Sequence, residues 1–446
     1  TGTWTEIASG GTISNLAHNT NVYARLTDGI NAGDYASTSI KDTVAPTISK
    51  IETSNITSNS VKLTVTAVDN QSGLADSGRY TYYLNSTQKA SNNTNSYTYT
   101  GLSANTSYTL KVVVKDKVGK TTEKGTTIKT NSLPTNVKEA ITDGGTYISN
   151  TIIQDEYNNK VKIPAGFKLA SDSGTDVTKG VVIEDVSAGD NNTKGNQYVW
   201  VPIGDIKYNT NGDIKTINLG RYSFDARYNE ETQQMEGTGE ATIEQTADDY
   251  TSTVTIETYY QELTSSKYGE TVAKDLGDFI TKAKNAGGYY IGRYEAGKVS
   301  GNENTFNIKK GQNVYNYITQ SEAATLARNL YSGNSNFESD LINSYVYDTA
   351  IVFIQTFSGD TDYSKQTPLQ PSTLATTGNA HSGSNYDIRC NIYDMAGNAL
   401  EWSTESSPCV NRGGACSYSG TYTAYRRSNT TFNASIAIAF RSTLYL

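Results

Sequence analysis

The side chains that most often carry covalent or metal chemistry are scarce in this sequence. Its 446 residues include only 3 cysteines, Cys390, Cys409 and Cys416, and 2 histidines, His18 and His381. Three thiols are too few for a disulfide framework, and an odd thiol remains if two of them pair. His381 stands among Gly, Ser and Asn, where a solvated side chain is expected rather than a general base. These residues favour a protein without a catalytic site.

The acidic residues show no recognisable catalytic or metal-binding pattern either. No pair of Asp or Glu stands out by its spacing as a general acid and base, and no EF-hand spacing occurs. Carboxylates and backbone carbonyls are the ligands that Ca²⁺ prefers, but the sequence assigns that ion to no particular residues. We therefore predict no cofactor and leave Ca²⁺ unassigned.

Residue types that are suited to ligand binding are concentrated near the C-terminus, in residues 415–439. Aromatic residues there offer rigid contact area at small entropic cost, and Ser, Thr and Asn offer adaptable hydrogen bonds, a mixture that antibody paratopes use. Phe440, Leu444 and Leu446 are expected in a closing core strand instead. The predicted ligand-binding residues are Ala415, Ser417, Tyr418, Thr421, Tyr422, Tyr425, Asn429, Thr431, Phe432, Asn433, Ser435 and Ala437.

The composition limits the partners of such a surface. The formal net charge is -8 and no block of Lys or Arg occurs, so nucleic acid and anionic membranes are poor partners. No apolar run of about 18 residues is present to cross a membrane. The abundance of Thr, Ser, Asn and Gly, with 33 Tyr, suits many short strands joined by polar turns. We expect an extracellular protein that binds a protein or glycan.

Two runs in the first third of the chain predict half-buried strands. Apolar residues recur at every second position over residues 61–67 and 108–114, with further strand residues at 80–84 and Asn-rich turns between. This spacing predicts a small β-sandwich. Residues 101–108, with Leu102 and a following Tyr108, resemble the corner before a late strand of fibronectin type III modules. The resemblance covers residues 45–131.

The first 44 residues repeat the second half of that module. Residues 15–22 align with residues 101–108, and a strand-like run follows that ends in Asp28 as the later one ends in Asp116. Repeats with short joints, here around 42–46 and 131–134, are typical of spacers. We therefore expect residues 1–44 to be the C-terminal part of an immunoglobulin-like module, completed by upstream sequence or by a neighbouring subunit.

Helical patterns begin only beyond the second joint. Val272, Leu276, Phe279, Ile280 and Ala283 form an apolar stripe at helical spacing, closed by Gly287-Gly288 and followed by a strand-like run at 289–294. Thr319 with Glu322 has the spacing of a capping box, and a third stripe runs from Val346 to Phe357. No alternation of strands and helices occurs, which predicts an α+β domain over residues 132–446.

The C-terminal region contains a run of recognisable motifs. It reads Asn391-Ile-Tyr-Asp-Met-Ala-Gly-Asn-Ala-Leu-Glu-Trp402, then Arg412-Gly413-Gly414, then Phe440-Arg441. These motifs resemble the formylglycine-generating-enzyme branch of the C-type lectin fold, with Ala439 in place of the family's usual Gly. Glycine turns, a large indole and turn-capping Asp394 and Asn398 suit a structural role for the motifs.

The resemblance also bears on catalysis. The copper-binding cysteines of that family correspond to positions near Ser419 and Ala424, counted back from Arg427-Ser428. Neither position is cysteine, and Cys416 nearby lacks a second thiol. We therefore expect no copper site and no enzyme activity, with an oxidoreductase of the formylglycine-generating or iron-dependent type kept as an alternative.

The same branch of the fold serves the variable proteins of diversity-generating retroelements. There, reverse transcription at template adenines randomises Asn codons, and an altered AAC codon never gives Lys, Glu, Gln, Met or Trp. Residues 415–439 contain none of these five types. They are flanked by Arg412-Gly413-Gly414 and by residues 440–446, as such a cassette would be. The resemblance thus implies a diversified binding segment. The alternative is that a Thr/Ser/Ala-rich region lacks these five residue types by chance.

The sequence therefore predicts a multidomain protein in which immunoglobulin-like β-sandwich modules precede an α+β C-type-lectin-like head. The predicted function is ligand binding, adhesion or receptor binding at a bacterial cell surface, a pilus or a virion surface. The alternative from another class is a structural subunit of a pilus or phage tail, with neighbouring subunits bound through residues 1–44.

Overall fold

The structure is a computed structural model that describes residues 4–249, 276–368, 381–383, 385–406, 409–416, 418–429 and 434–446. At residues 405–406, 409 and 428–429 it describes the backbone alone. The chain forms two compact units, Thr1–Ser132 and Leu133–Leu446. This division lies next to the boundary between residues 131 and 132 that the sequence predicts. Each unit has a hydrophobic core of its own, and strands outnumber helices among the described residues.

The first unit contains a β-sandwich, as the period-two runs predict. A three-stranded sheet in the order β3-β4-β7 and a four-stranded sheet in the order β6-β5-β8-β9 share one core, to which Val61, Leu63, Tyr82 and Val112 belong. All the strand pairs are antiparallel. The strands are β3 (Thr47–Ser54), β4 (Ser60–Val68), β5 (Tyr80–Leu84), β6 (Thr87–Asn92), β7 (Ser96–Thr100), β8 (Ser107–Lys115) and β9 (Thr121–Lys129).

The predicted corner before β8 is present. Leu102 is buried, and the hydroxyl of Tyr108 accepts a hydrogen bond from the backbone N–H of Ser103 at 2.8 Å. A tyrosine that ties a late strand to the preceding turn is a recurrent feature of immunoglobulin-like sandwiches. The motif Leu102 to Tyr108 therefore closes the sandwich at this end of β8.

The chain before the sandwich forms a hairpin rather than a second sandwich. Strands β1 (Asn21–Thr27) and β2 (Ala32–Ser39) pair only with each other among the described residues. No residue from 4 to 40 is buried, and apolar side chains such as Leu26 and Ile30 are exposed. The hairpin therefore has no core of its own.

The second unit, here called the head, is built on a six-stranded antiparallel sheet. Its order is β12-β13-β14-β21-β31-β24. Side chains alternate between the two faces: Trp200 of β14 and Tyr290 of β21 enter one core, and Val201 and Ile291 enter the other. The strands are β12 (Phe167–Leu169), β13 (Val182–Asp185), β14 (Gln197–Pro202), β21 (Gly288–Gly292), β24 (Glu338–Leu341) and β31 (Ser442–Tyr445).

Helices cover both faces of this sheet, and three of the four lie where the sequence patterns predict them. Helix α1 (Val137–Asp143) opens the head, α3 (Gln320–Asn329) packs in the core that holds Trp200, and α2 (Leu276–Ala286) and α4 (Ser344–Phe357) pack in the other core. Thr319 and Glu322 form the predicted capping box. The stripe's Val272 lies outside the described residues. None of the described helices combines the length and the apolar character needed to cross a membrane.

The remaining strands form small sheets around this centre. A four-stranded sheet has the order β29-β28-β27-β30, and the others are two-stranded. The four strands are β27 (Leu400–Ser406), β28 (Cys409–Arg412), β29 (Arg426–Asn429) and β30 (Ile438–Phe440). The two-stranded sheets pair β10 (Thr151–Gln154) with β11 (Lys160–Ile163), β15 (Gly204–Lys207) with β16 (Ile214–Ile217), β17 (Gly220–Phe224) with β20 (Ala241–Thr246), β18 (Arg227–Asn229) with β19 (Gln234–Glu236), β22 (Gly297–Val299) with β23 (Asn302–Asn307), and β25 (Ile388–Arg389) with β26 (Ile392–Tyr393).

Candidate ligand-binding surface

The predicted binding segment, residues 415–439, begins just after one strand of the four-stranded sheet and ends within another. It leaves β28 after Arg412 and returns through β30, while β29 in its middle pairs with β28. Strand β27 lies between β28 and β30 and pairs with both. The segment is therefore held by the sheet at both ends and at one point between them.

A buried ion pair fixes the end of the segment near β30. The guanidinium of Arg441 donates to both carboxylate oxygens of Glu401, with Nε 2.9 Å from Oε1 and 3.1 Å from Oε2. Arg441 also donates to the backbone carbonyls of Gly292 at 2.9 Å and Tyr393 at 2.8 Å. Both charged side chains are buried. Burial raises the pKa of Glu401, and the neighbouring Arg441 opposes that shift.

A second buried ion pair fixes the start of the segment. Arg412 donates to Asp348 of α4, whose other carboxylate oxygen accepts from the Tyr222 backbone N–H at 3.0 Å. Arg426 of β29 reaches the same carboxylate at 3.4 Å. Gly413 has φ +83, and a Cβ there would lie 2.5 Å from the Tyr347 hydroxyl, so only glycine fits this turn. The Arg-Gly-Gly motif is therefore structural, as the sequence predicts.

Buried polar groups also hold the Asp394 to Asn398 turn. Glu295, which the sequence reading did not single out, is buried and accepts from Asn398 Nδ2 and from the Ala399 backbone N–H. Burial, followed by the nearby charges of Asp394 and Glu401, raises the pKa of Glu295 well above its ordinary value. Trp402 is fully buried and donates from Nε1 to the Ile318 carbonyl at 3.0 Å. These motif residues therefore stabilise the interior of the head and do not form its exposed surface.

The aromatic residues of the segment differ in exposure. Tyr418 is 41% exposed, and the guanidinium of Arg427 lies 5.7 Å from its ring centroid. Tyr422 is half-buried and donates its hydroxyl to the Ala226 carbonyl at 2.9 Å. The Tyr425 ring lies edge-on to Tyr422 at 5.4 Å and packs against the core. Of the three described rings, Tyr418 is therefore the one most available to a ligand, whereas Tyr422 and Tyr425 are held by contacts within the head.

Three of the predicted contact residues are buried and do not belong to the surface. Ala415, Thr421 and Ala437 each have less than a tenth of their surface exposed. The Thr421 hydroxyl accepts from the Ala415 backbone N–H at 2.9 Å and donates to the Tyr418 carbonyl at 3.0 Å, so it closes the turn that presents Tyr418. The small side chains of Ala415 and Ala437 fill the interior. Composition alone does not reveal which side of an irregular segment faces outward.

The structure describes only some of the other predicted contact residues. Ser435 is half-buried, and its hydroxyl accepts from the Ala437 backbone N–H at 3.2 Å. Asn429 lies in β29, where the backbone alone is described. Ser417, Thr431, Phe432 and Asn433 lie outside the described residues.

A polar cavity that the sequence does not predict adjoins the far end of the segment. It has a volume of about 450 Å³. The backbone N–H of Tyr317 donates to the Ser435 carbonyl at 3.1 Å, and Asn316 Nδ2 donates to the Ile436 carbonyl at 3.0 Å. Tyr317 is 61% exposed and has φ 56, an uncommon backbone conformation for a bulky residue. The lining includes Lys298, Ser300, Asn302, Glu303, Asn313, Tyr315, Asn316 and Tyr317.

The head's thiols are poorly suited to chemistry. Burial raises the pKa of Cys390 to about 12 and also raises the pKa of Cys416, so both are protonated at neutral pH. Cys390 is a free thiol, and the side chain of Cys409 lies outside the described part. His381 is exposed, as its loop composition predicts.

Comparisons with known proteins identify no family. No protein-family model matches the chain, and no curated protein matches it. Among solved structures, domains d3-d4 of the rat CD45 extracellular region share 16% identity over 29% of this chain and 76% of that one, with a TM-score of 0.22. Chitinase ChiA74 from Bacillus thuringiensis shares 21% identity over 46% of this chain and 26% of its own, with a TM-score of 0.19. SGBP-B of the Bacteroides ovatus mixed-linkage glucan utilization locus, in complex with a mixed-linkage heptasaccharide, shares 13% identity over 46% of this chain and 60% of its own, with a TM-score of 0.17. Likenesses this weak carry no argument about family or function.

Proposed function

We propose that this chain is an extracellular binding protein whose head contacts its ligand through two exposed patches of the four-stranded sheet, Tyr418 with Arg427 near β29 and Ile436 with Tyr317 near β30. The observation that carries the proposal is the contrast within residues 412–441. Both ends of this stretch are fixed by buried ion pairs, while Tyr418, Arg427 and Ile436 between them are exposed. An exposed aromatic and an arginine on a rigid frame are the residue types that dominate binding interfaces.

The resemblance of the motifs to the C-type lectin fold supports the same proposal. Variable proteins of diversity-generating retroelements carry their binding residues at the end of such a fold, and residues 415–439 contain only residue types that mutated Asn codons allow. Catalysis is not part of the proposal, because Ser419 and Ala424 stand where the resembled enzymes have their copper-binding cysteines.

The cavity beside the segment favours a polar, largely uncharged ligand. Asn302, Asn313 and Asn316 supply amide donors and acceptors, and Tyr315 and Tyr317 supply ring faces and hydroxyls. Lys298 brings one positive charge and Glu303 and Glu322 bring two negative charges, so most of the lining residues are uncharged and the lining is only weakly acidic. A glycan, with its many hydroxyls and apolar ring faces, fits this lining.

Replacement of Tyr418 by serine tests the proposal. The full chain is screened on a glycan array and on intact bacterial and mammalian cells, and Tyr418→Ser is then compared with the wild type. We expect an unchanged melting temperature and roughly 30-fold weaker binding, because an aromatic residue at the centre of an interface commonly contributes about 2 kcal/mol.

Tyr386→Ser is the matched control, since Tyr386 is 44% exposed and lies in the head outside the segment. Tyr317→Asn provides a second test in the cavity, because asparagine tolerates a positive φ. Binding by Tyr418→Ser and Tyr317→Asn at wild-type strength would refute the proposed surface.

The exposed apolar side chains of the hairpin favour a second candidate, assembly with neighbouring subunits through residues 1–44. Leu26 and Ile30 are almost fully exposed, and Tyr35 is also exposed. Contiguous exposed apolar side chains mark interaction surfaces. Sedimentation over a range of concentrations is expected to show association of the full chain that Leu26→Asp weakens and Val118→Asp, at an exposed site in the sandwich, does not.

A further inference from the structure

Three aspartates from distant parts of the sequence converge at one end of the sandwich. Asp42 precedes β3, Asp69 follows β4 and Asp116 follows β8. One carboxylate oxygen of each residue lies within 4.8 Å of the others. Among the described residues this is the one group of three or more His, Cys, Asp or Glu side chains with such convergence.

Among the residues that the structure describes, no group donates a hydrogen bond to one of the carboxylate oxygens of Asp116. The side chain is only 1% exposed. Its Oδ1 accepts from the backbone N–H groups of Val118 at 3.0 Å and Lys120 at 2.7 Å, whereas its buried Oδ2 has no hydrogen-bond partner. A buried carboxylate oxygen without a partner costs folding free energy. A cation or a proton donor from outside the chain is therefore expected to bind at this position.

No lysine or arginine in the described part of the chain neutralises the three carboxylates. Lys117, next to Asp116, forms its ion pair with Asp76 instead, at 3.3 Å. The other hydrogen bonds come from neutral groups: Ser72 donates its backbone N–H and hydroxyl to Asp42 Oδ2, and the Gly73 backbone N–H donates to Asp69 Oδ1 at 2.7 Å. The hydrogen bond from the Ser72 hydroxyl holds the pKa of Asp42 below its ordinary value.

We propose that Asp42, Asp69 and Asp116 bind one Ca²⁺ ion. The three converging ligands are all carboxylate oxygens, which hard cations prefer, and the nearby His18 imidazole is not one of the converging groups, since its Nδ1 accepts from the Asp42 backbone N–H. Oxygens that bind one Ca²⁺ ion at about 2.4 Å lie at most about 4.8 Å apart, and the three carboxylate oxygens meet this limit. Mg²⁺ usually keeps several waters and is bound through one or two carboxylates, whereas Ca²⁺ accepts many oxygens in a flexible geometry, so three convergent carboxylates favour Ca²⁺.

The ion would join the sandwich to the segment that precedes it. Asp42 belongs to the joint at residues 42–46, and its backbone N–H donates to His18 Nδ1 at 3.1 Å. Asp69 and Asp116 belong to two loops that pair directly, since the Lys117 backbone N–H donates to the Gly73 carbonyl at 3.0 Å. Ca²⁺ would therefore crosslink the joint and both loops and restrict the movement of the hairpin against the sandwich.

Calorimetry on the full chain tests this site. The protein is treated with a chelator, desalted and titrated with CaCl₂ or MgCl₂. Extracellular Ca²⁺ modules have dissociation constants of about 10⁻⁴ to 10⁻³ M. We expect binding in this range or tighter, weaker binding of Mg²⁺, and a higher melting temperature of the sandwich when Ca²⁺ is added.

Asp116→Asn removes a charge, and its Oδ1 still accepts from Val118 and Lys120, so we expect at least tenfold weaker Ca²⁺ binding. Asp76→Asn is the control, because Asp76 is exposed, lies in the same unit and is not part of the cluster. If circular dichroism shows that Asp116→Asn is unfolded, Asp69→Asn provides the same measurement at a half-buried ligand.

Two results would overturn the proposal. The first is a wild-type chain that binds no Ca²⁺ up to about 10 mM, tenfold above the weak end of the extracellular range. The second is a folded Asp116→Asn or Asp69→Asn variant that binds Ca²⁺ with wild-type affinity. The second result would leave water or a proton as the partner of Asp116 Oδ2.

Discussion

Replacement of Trp402 by alanine is expected to destabilise the head strongly and to leave the sandwich unchanged. Trp402 is fully buried, pairs across the sheet with Phe440 and donates from Nε1 to the Ile318 carbonyl. Truncation of a buried indole costs about 3–5 kcal/mol, and here it also leaves that carbonyl without its donor. Most domains have only about 5–15 kcal/mol of stability in total.

Differential scanning calorimetry of the full chain would measure this effect. We expect two transitions, with the head's melting temperature lowered by roughly 10 °C or more, since about 1 kcal/mol shifts a domain of this size by about 2–4 °C. The sandwich has its own core and should keep its transition. Trp4→Ala is the matched control, because Trp4 is exposed, and it should move neither transition. An unchanged head transition in Trp402→Ala would contradict the structural role given to the motif.

Local periodicity was sufficient to predict much of the fold. The alternation at residues 61–67 and 108–114 marks β4 and β8, because strands with one buried face repeat every two residues. The stripe from Val346 to Phe357 and the capping box at Thr319 mark α4 and α3, because both signals depend on residues three or four positions apart. Such signals are contained in short stretches of sequence.

The candidate binding surface could not be predicted in the same way, because it is formed by contacts between residues that are far apart in sequence. Asn316 meets Ile436 across 120 positions, and Tyr422 meets Ala226 across 196. Composition singled out Tyr418 as a candidate, but it could not separate exposed Tyr418 from buried Thr421, because the segment has no regular period there. The aspartates at 42, 69 and 116 likewise have no spacing that predicts a common site. Their convergence follows from the antiparallel pairing of β3 with β4 and from the pairing of the loops.

These contacts also change what joint replacement of the segment's aromatic residues would report. If Tyr418, Tyr422, Tyr425 and Phe432 were all changed to serine, the loss of the Tyr422 hydrogen bond and of the Tyr425 core contact would destabilise the frame. Loss of binding in that variant would therefore not distinguish a contact residue from a supporting one. Tyr418→Ser alone separates the two, because its side chain is the most exposed of the three described rings.

Replacement of Arg441 by methionine is expected to have the second large effect on the head. The methionine keeps much of the side-chain volume but removes the hydrogen bonds that Arg441 donates to Glu401, Gly292 and Tyr393. Breaking a buried ion pair costs about 3–5 kcal/mol, because one charge is left in the interior without compensation. Urea unfolding of the full chain, followed by near-ultraviolet circular dichroism, would show the head's transition at lower denaturant concentration.

The pH dependence of this variant identifies the cause. Burial raises the pKa of Glu401, and without Arg441 nothing opposes that shift. A carboxyl whose folded-state pKa lies above its unfolded value stabilises the fold at low pH, and this contribution is lost as the pH rises through the folded pKa. The loss of folding stability caused by Arg441→Met should therefore become smaller as the pH falls from 7 to 5. Adding Glu401→Gln should recover part of the lost stability at pH 7. Arg227→Met, which breaks an exposed ion pair with Glu236, should leave the transition unchanged. A deficit that is independent of pH and is not reduced by Glu401→Gln would mean that the carbonyl contacts, and not the charge on Glu401, make Arg441 necessary.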